Sequence, residues 1–398
     1  MRGISATLPT QIMFAKRTNW NMTPNRLSEA LAAHRAAGKP LLDLTISNPT
    51  ECGFEYDGEA ILEALRNPAA LAYEPNPRGL ESARRAVSAY YADREESVSV
   101  EDIFLTTSTS EAYSYVFRTL CDPGDELLIP SPSYPLLDFL ADIQDVNLVR
   151  YPLLYDHGWQ IDFHALEQAI TPRTRGVIVV HPNNPTGNYA KSAEMSRLNS
   201  ICSARAMAII ADEVFLDFAL NGERAASFAA NREALTFTLS GLSKISGLPQ
   251  MKAAWLIVGG PEQMKREALA RLEVIADTYL SVNTPVQLAM PRFLEQRHAF
   301  QKQVISRARR NLAELDRQLA EQKVVSRLKV EGGWCAVLRV PATRSDEGVA
   351  IELLTAYGVS VHPGHFYDFP SDGFLVVSLI APSADYSQGM ASALTVPR

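Results

Sequence analysis

The chain has no long apolar run, few cysteines and no excess of positive charge. None of its apolar stretches approaches the roughly 18 residues that a membrane-spanning helix needs. Its net charge of −7 disfavours nucleic acid or an acidic membrane as a partner, because both are bound by clustered lysine and arginine. The four cysteines lack the spacing of a metal site or redox dithiol, which predicts buried free thiols in a reducing cytoplasm: Cys52, Cys121, Cys202 and Cys335.

The amino-terminal segment from Met1 to Trp20 contains neither an apolar signal core nor a small-residue cleavage site. We expect a flexible arm here, or a start assigned upstream of the true initiator at Met13. Either interpretation predicts a cytoplasmic protein.

Short β-rich runs alternate with helical stretches through most of the chain. This alternation predicts an α/β fold, in which helices sandwich a mostly parallel seven-stranded sheet and a smaller α/β domain is attached. We expect an arm and part of the small domain at 1–50, a large domain at 51–290 and the rest of the small domain at 291–398. The seven predicted strands are 103–107, 126–129, 147–151, 176–181, 207–211, 235–239 and 254–258.

Two polar motifs follow predicted strands directly, and ligands collect at the carboxyl ends of strands in such sheets. Lys244 lies in a Ser/Gly-rich loop after the strand 235–239, where a lysine that forms a Schiff base can be held and desolvated. A surface lysine is the alternative. Asp212 ends the strand 207–211 and has the chemistry to pair with a pyridinium nitrogen, although an acidic helix cap is as compatible with its position.

Two further motifs lie at strand ends. In His181-Pro-Asn-Asn184-Pro-Thr-Gly, two X-Pro steps restrict the loop and so fix the asparagines, with an ordinary loop as the alternative. Ser108, Thr109 and Ser110 precede or begin a predicted helix, and hydroxyls with free amides at a helix start bind phosphate. A capping box without a ligand also fits that pattern.

Together and in this order, the motifs resemble the fold-type I pyridoxal-phosphate (PLP) enzymes, specifically the class I/II aminotransferases, from Leu41 to about Ala381. The resemblance implies a Schiff base between PLP and Lys244, an Asp212 partner for the ring nitrogen, and a large domain that binds PLP. It also implies an obligate homodimer with shared active sites. Further cofactor contacts implied by the resemblance are Ser108, Thr109, Ser110, Tyr134 on the ring face, Asn184 at the ring hydroxyl, Phe215, Ser243, Lys252, and Tyr73 from the neighbouring subunit.

The chain departs from the family pattern around the cofactor. Ser108 stands where glycine is frequent, and Gly241 where a phosphate-binding serine is frequent. Lys252 replaces an arginine, so it supplies charge without the bidentate fork. Phe215 replaces a tyrosine that hydrogen-bonds the ring oxygen, and we expect this loss to raise the pKa of the Schiff base.

The most consequential departure is Val376, which occupies the place of the arginine that binds the substrate carboxylate. A valine cannot bind a carboxylate. We therefore expect another cation to do so, or a substrate with no α-carboxylate there. Arg78, in the loop of Tyr73, is our hypothesis for a replacement anchor. Other substrate-side candidates are Asn48, His362 and His365.

The sequence therefore predicts a PLP-dependent aminotransferase that exchanges an amino group between an amino acid or amine and a 2-oxo acid in ping-pong half-reactions. A lyase, decarboxylase or oxidase on the same scaffold is the alternative, because the fold alone does not choose the bond that breaks. A PLP-binding transcriptional regulator is a remote third interpretation, since only ~40 residues precede the first matching strand and no basic helical pair lies there.

Overall fold

A computed structural model of the chain describes residues 13–395. The first twelve residues of the expected arm and the last three residues of the chain lie outside that range. The β-strands within it are β1 (Leu42–Asp43), β2 (Ile103–Thr106), β3 (Glu126–Ser131), β4 (Asn147–Tyr155), β5 (Trp159–Ile161), β6 (Thr174–Val180), β7 (Ala208–Asp212), β8 (Thr236–Gly241), β9 (Ala254–Gly259), β10 (Ser326–Arg327), β11 (Cys335–Arg339), β12 (Val359–Ser360), β13 (His362–Pro363) and β14 (Phe374–Ser378).

The α-helices of the described residues connect and cover these strands. They are α1 (Arg26–Ala36), α2 (Gly58–Ala64), α3 (Glu81–Ala92), α4 (Thr109–Leu120), α5 (Leu136–Ile143), α6 (Phe163–Gln168), α7 (Ser192–Arg205), α8 (Leu242–Ile245), α9 (Glu262–Tyr279), α10 (Thr284–Glu295), α11 (Arg297–Leu319), α12 (Asp346–Tyr357) and α13 (Ser383–Ala393). None of them is both long and apolar enough to cross a membrane.

The large sheet has the strand order β2-β9-β8-β7-β6-β3-β4-β5. All its strands run in one direction except β9 and β5, which pair antiparallel with their neighbours. The predicted α/β class with a mostly parallel sheet is confirmed. The sheet has eight strands rather than seven, because the short β5 turns back along β4 and extends the edge.

Helices cover both faces of this sheet, which explains why its central strands are apolar along their whole length. Ile178 and Val180 of β6 face the side covered by α4 and α9. Val177 and Val179 face the other side, where α6 and α7 pack. The alternation places two hydrophobic layers around one sheet.

Two smaller sheets lie in the remainder of the chain. One has the order β10-β11-β14-β13, and the other pairs β1 with β12. Because β1 pairs with β12 over Leu42–Asp43, it links an early segment to the carboxy-terminal part of the chain. The division at residues 50 and 290 stays a prediction.

α10 and α11 follow one another in the chain and are separated at Gln296. The described part of the expected flexible arm is not free of contacts. Its Trp20 packs edge-on against Phe139 of α5, with ring centroids 5.6 Å apart, and donates to Asp142.

Candidate active site

A cavity of about 530 Å³ opens at the carboxyl ends of β6, β7 and β8. This is the edge where ligands bind in parallel α/β sheets, and the volume lies within the usual range for cofactor sites. Of the residues predicted from sequence, ten line it: Ser108, Thr109, Ser110, Tyr134, Asn184, Asp212, Phe215, Ser243, Lys244 and His362.

One end of the cavity is formed by the first turn of α4. Ser108 is the N-cap, and its hydroxyl accepts a hydrogen bond from the amide of Glu111 at 3.1 Å. The Glu111 carboxylate in turn accepts from the amide of Thr107 at 2.7 Å. Thr109 and Ser110 line the cavity beside the cap, and first-turn amides have no acceptor within the helix. Capping and an anion site are therefore compatible in this turn.

Asp212 ends β7 inside the cavity. Burial raises the pKa of this carboxyl from 3.8 to about 6. The amide of Val214 donates to Oδ1 at 3.1 Å, the hydroxyl of Tyr113 donates to Oδ2 at 3.1 Å, and Lys244 adds a positive charge. These three interactions lower the pKa and partly offset burial. A cationic ligand nitrogen beside Asp212 would shift it further toward the carboxylate form.

Lys244 projects from the short helix α8, which follows β8 directly. Its Nζ lies 4.8 Å from the ring centroid of Trp334 and 5.6 Å from that of Phe215. Burial lowers the pKa of Lys244 from its ordinary value of 10.5. A lysine with a lowered pKa has a larger neutral fraction, and the neutral amine is the nucleophile and proton acceptor.

The loop after β6 is held by hydrogen bonds that leave Asn184 facing the cavity. Asn183 donates to the Pro132 carbonyl at 3.1 Å and to the Thr186 hydroxyl at 2.7 Å. His181 is fully buried, accepts from the amide of Ala190, and its other ring nitrogen contacts a carbonyl. Burial lowers the pKa of His181 to about 4, so it is a neutral structural residue.

The opposite wall of the cavity comes from the small sheet and has little charge. Its lining residues are Trp334, Cys335, His362, Phe366, Tyr367, Val376, Val377 and Ser378. No arginine lines the cavity among the described residues. This wall is where the sequence predicts the substrate.

Five predicted residues lie away from the cavity lining. Arg78 is held by other groups of its own chain: its guanidinium donates to Glu273 at 2.7 Å and to the Glu101 carbonyl at 2.6 Å. Tyr73 is 78% exposed and borders a separate shallow pocket. Lys252 and His365 are exposed. The side-chain oxygen of Asn48 accepts hydrogen bonds from the amide and the hydroxyl of Thr50 and does not line the cavity. The roles predicted for all five stay predictions.

Several lining or supporting residues were not predicted from the sequence. Tyr113 lies one helical turn after Thr109 and Ser110, so the helical period offered a signal for it. Trp334 comes from a segment with no recognisable motif, whereas Tyr367 lies in the same segment as the predicted His362 and His365. Thr45 and Ser47, which line the cavity near Asn48, follow the end of β1.

The residues present fit pyridoxal phosphate. A hydroxyl-lined helix start suits the phosphate, and the buried Asp212 suits a protonated ring nitrogen. Tyr134 and Val214, which also line the cavity, offer aromatic and apolar surface for a flat ring. Lys244 reaches the same cavity. The arrangement can hold a phosphorylated aromatic aldehyde beside a desolvated amine.

Comparison with known proteins gives a consistent result. The family model described as "Aminotransferase class I and II" matches residues 16–384. The glutamate-pyruvate aminotransferase AlaA of Escherichia coli is 32% identical over 256 residues, which span 64% of this chain and 63% of that relative, less than two thirds of its length. The alanine aminotransferase of Mycobacterium tuberculosis is 29% identical over 364 residues, which span 88% of this chain and 84% of the relative.

Solved structures show the same fold. An aminotransferase from Escherichia coli superposes with a TM-score of 0.83 at 25% identity and covers 94% of this chain and 96% of its own. The alanine aminotransferase of Pyrococcus furiosus superposes with a TM-score of 0.86 at 22% identity, covering 95% and 98%.

Proposed function

The chain belongs to the class I and II aminotransferase family, and from that membership we propose that it is a PLP-dependent aminotransferase. It would exchange an amino group between an amino acid or amine and a 2-oxo acid in alternating half-reactions. The observation that carries this proposal is the presence of Lys244 and Asp212 in one cavity, with a hydroxyl-lined helix start at its far end.

When bound, PLP supplies the electron sink that weakens bonds to the α-carbon of an amine. Ser108, Thr109 and Ser110 would hold its phosphate, and Tyr134 and Val214 would enclose its ring. Asp212 would keep a proton on the ring nitrogen, with Tyr113 holding the carboxylate in position.

Lys244 is the acid–base group of this scheme. Its lowered pKa favours the neutral amine, which would take a proton from the α-carbon of the substrate and deliver it to the carbon that carries the aldehyde in PLP. Trp334 and Phe215 restrict water around Nζ. The aromatic rings therefore limit exchange between water and the proton that Lys244 carries.

We also propose that the protein is a homodimer whose two active sites each contain residues of both subunits. We propose the cytoplasm as its location. Leu71 and Tyr73 are 94% and 78% exposed, and Val274 and Tyr279 add further exposed apolar surface. Apolar side chains at this level of exposure mark an interaction surface. The loop that bears Tyr73 would then reach the partner's cofactor.

The test is the absorption spectrum of the PLP-loaded protein while amino acids and amines are added. We expect one donor to remove the visible band of bound PLP and a 2-oxo acid to restore it. Lys244→Ala should abolish this exchange, whereas Lys39→Ala, at an exposed lysine outside the cavity, should not. Ammonia or carbon dioxide release without recovery of the band would instead identify a lyase, oxidase or decarboxylase.

A further inference from the structure

Position 376 lies in the wall that faces the substrate, and the structure shows which side chain is beside it. Val376 is 1% exposed and lines the cavity. In the antiparallel pairing of β13 with β14, its partner is His362. Directly opposed residues of an antiparallel pair project to the same face and lie close together. The imidazole of His362 therefore lies beside the place where the family pattern has an arginine.

The ring of His362 is held in a defined orientation. Its Nδ1 forms a hydrogen bond of 3.0 Å with the hydroxyl of Tyr367, and the ring of Phe366 packs beside it with centroids 6.0 Å apart. Tyr367 is itself buried. Among the described residues Nε2 has no hydrogen-bond partner. When Tyr367 donates to Nδ1, the ring hydrogen lies on Nε2 and is available to a ligand.

The cavity offers few other groups for a carboxylate. Among its described lining residues, the basic side chains are Lys244 and His362. In the proposed function Lys244 reacts with the cofactor and transfers the proton, so it does not bind the carboxylate. Arg78 already pairs with Glu273 and Glu101 and does not line the cavity. His362 is therefore the remaining basic group at the substrate wall.

We propose that His362, oriented by Tyr367, binds the carboxylate of an amino-acid or 2-oxo-acid substrate in place of an arginine at position 376. This inference rests on the proposed transamination, and it names 2-amino and 2-oxo monocarboxylates as the substrate class. The small side chain at position 376 leaves room for the imidazole. In this proposal the cation is supplied from position 362 instead of position 376.

Binding by an imidazole makes carboxylate affinity depend on pH. Burial lowers the pKa of His362 from 6.5, and the nearby charge of Asp43 on β1 opposes that shift. Tyr367 from the turn after β13 faces the ring, and Lys244 from α8 and Cys335 from β11 line the same cavity. Before a substrate binds, the ring is therefore neutral near neutral pH. An arriving carboxylate favours the charged ring, in which Nδ1 donates to the Tyr367 hydroxyl and Nε2 donates to the carboxylate. Binding therefore takes up a proton and weakens as pH rises.

The first experiment measures binding without turnover. The probe is 2-methylpropanoate, a carboxylate with no amine that could react with PLP, titrated calorimetrically into the PLP-loaded enzyme in two buffers of different ionisation enthalpy. We expect proton uptake with the wild type. His362→Gln should remove the uptake and raise Kd about tenfold or more, the range of a hydrogen bond to a charged group. His164→Gln, an exposed histidine on α6, is the matched control.

The second experiment separates binding from chemistry. With alanine as donor, His362→Gln should raise KM about tenfold and change kcat much less, because the carboxylate contact is present in both ground and transition states. Tyr367→Phe should raise KM less than His362→Gln does. It leaves the imidazole in place but frees its orientation.

A rescue variant guards against a simple folding defect. Replacing His362 by alanine and Val376 by arginine in one chain, H362A with V376R, restores a cation at the same wall. We expect this double variant to bind 2-methylpropanoate better than H362A and without proton uptake, because an arginine is always charged.

Three results would overturn the anchor: no binding of 2-methylpropanoate by the wild type, binding without proton uptake, or unchanged affinity in His362→Gln. If Arg78→Ala causes the loss instead, Arg78 is the anchor and the proposal is wrong. Because 2-methylpropanoate has no amino group to transfer, proton uptake that persists in an enzyme with no transaminase activity would sustain the anchor and reject the proposed reaction.

Discussion

The hydroxyl of Tyr113, on α4, donates a hydrogen bond of 3.1 Å to Oδ2 of Asp212 at the end of β7. The first turn of α4 suits the phosphate of PLP. Through Tyr113, the same helix also positions the Asp212 carboxylate, which suits the ring nitrogen. The two ends of the cofactor site are connected through one helix.

Tyr113→Phe is expected to weaken PLP binding about tenfold, the effect of losing one hydrogen bond to a charged group. Without that donor the pKa of Asp212 rises further, so PLP affinity should decline at a higher pH than in the wild type as the solution is acidified. Quenching of tryptophan fluorescence during PLP titration measures both effects. Tyr115→Phe on the same helix is the control, because Tyr115 packs against Tyr279 instead. Equal PLP affinity in Tyr113→Phe and wild type would refute the link.

Asp212→Asn is expected to change how stability of the PLP-free protein depends on pH. In the folded wild type the pKa of Asp212 is raised from 3.8 to about 6. The protonated acid therefore stabilises the folded protein fully below pH 3.8, and this stabilisation is lost as pH rises to about 6. At about 1.4 kcal/mol per pKa unit the full loss is about 3 kcal/mol, and about half of it falls between about pH 5 and pH 8. The variant should therefore gain in free energy of unfolding relative to wild type over that interval.

Addition of PLP should reverse that order, because a protonated ring nitrogen stabilises the Asp212 carboxylate but not an asparagine. Urea denaturation at both pH values, with and without PLP, tests this. A pH-independent difference between the two proteins would show that Asp212 does not titrate as described.

Ser108 and Ser110 are expected to respond differently to alanine substitution. Ser108→Ala removes the N-cap bond to Glu111 and should lower the free energy of unfolding by about 1 kcal/mol even without PLP. The hydroxyl of Ser110 has no hydrogen bond among the described residues, so Ser110→Ala should leave the PLP-free stability unchanged. Both variants should bind PLP less tightly. Unchanged PLP affinity in Ser110→Ala would remove this serine from the phosphate site.

Mixed dimers test whether Tyr73 acts in the partner's site. Lys244→Ala and Tyr73→Ala are each expected to be weakly active or inactive as homodimers. After unfolding together and refolding at equal concentration, half of the dimers are mixed, and each mixed dimer has one intact site. Activity should therefore recover to about a quarter of the wild-type value if sites are shared across a two-fold interface. No recovery, with mixed dimers shown by sedimentation, would place Tyr73 outside the partner's site.

Much of the cofactor side of the site could be predicted because its motifs are local. The segments around Ser108, Asn184, Asp212 and Lys244 each follow a strand of one parallel sheet, and the topology brings such strand ends to one edge. Alternating strands and helices also predicted the fold class. The number of strands was short by one because β5 is only three residues long and carries little pattern of its own.

The substrate side was decided by tertiary structure. Arg78 is a plausible anchor in the sequence, yet its charge is met by Glu273, 195 residues away, a pairing that no local pattern reveals. His362 comes to lie beside Val376 only through the register of β13 and β14. Local motifs are encoded in consecutive residues, whereas register and long-range ion pairs depend on how whole elements pack.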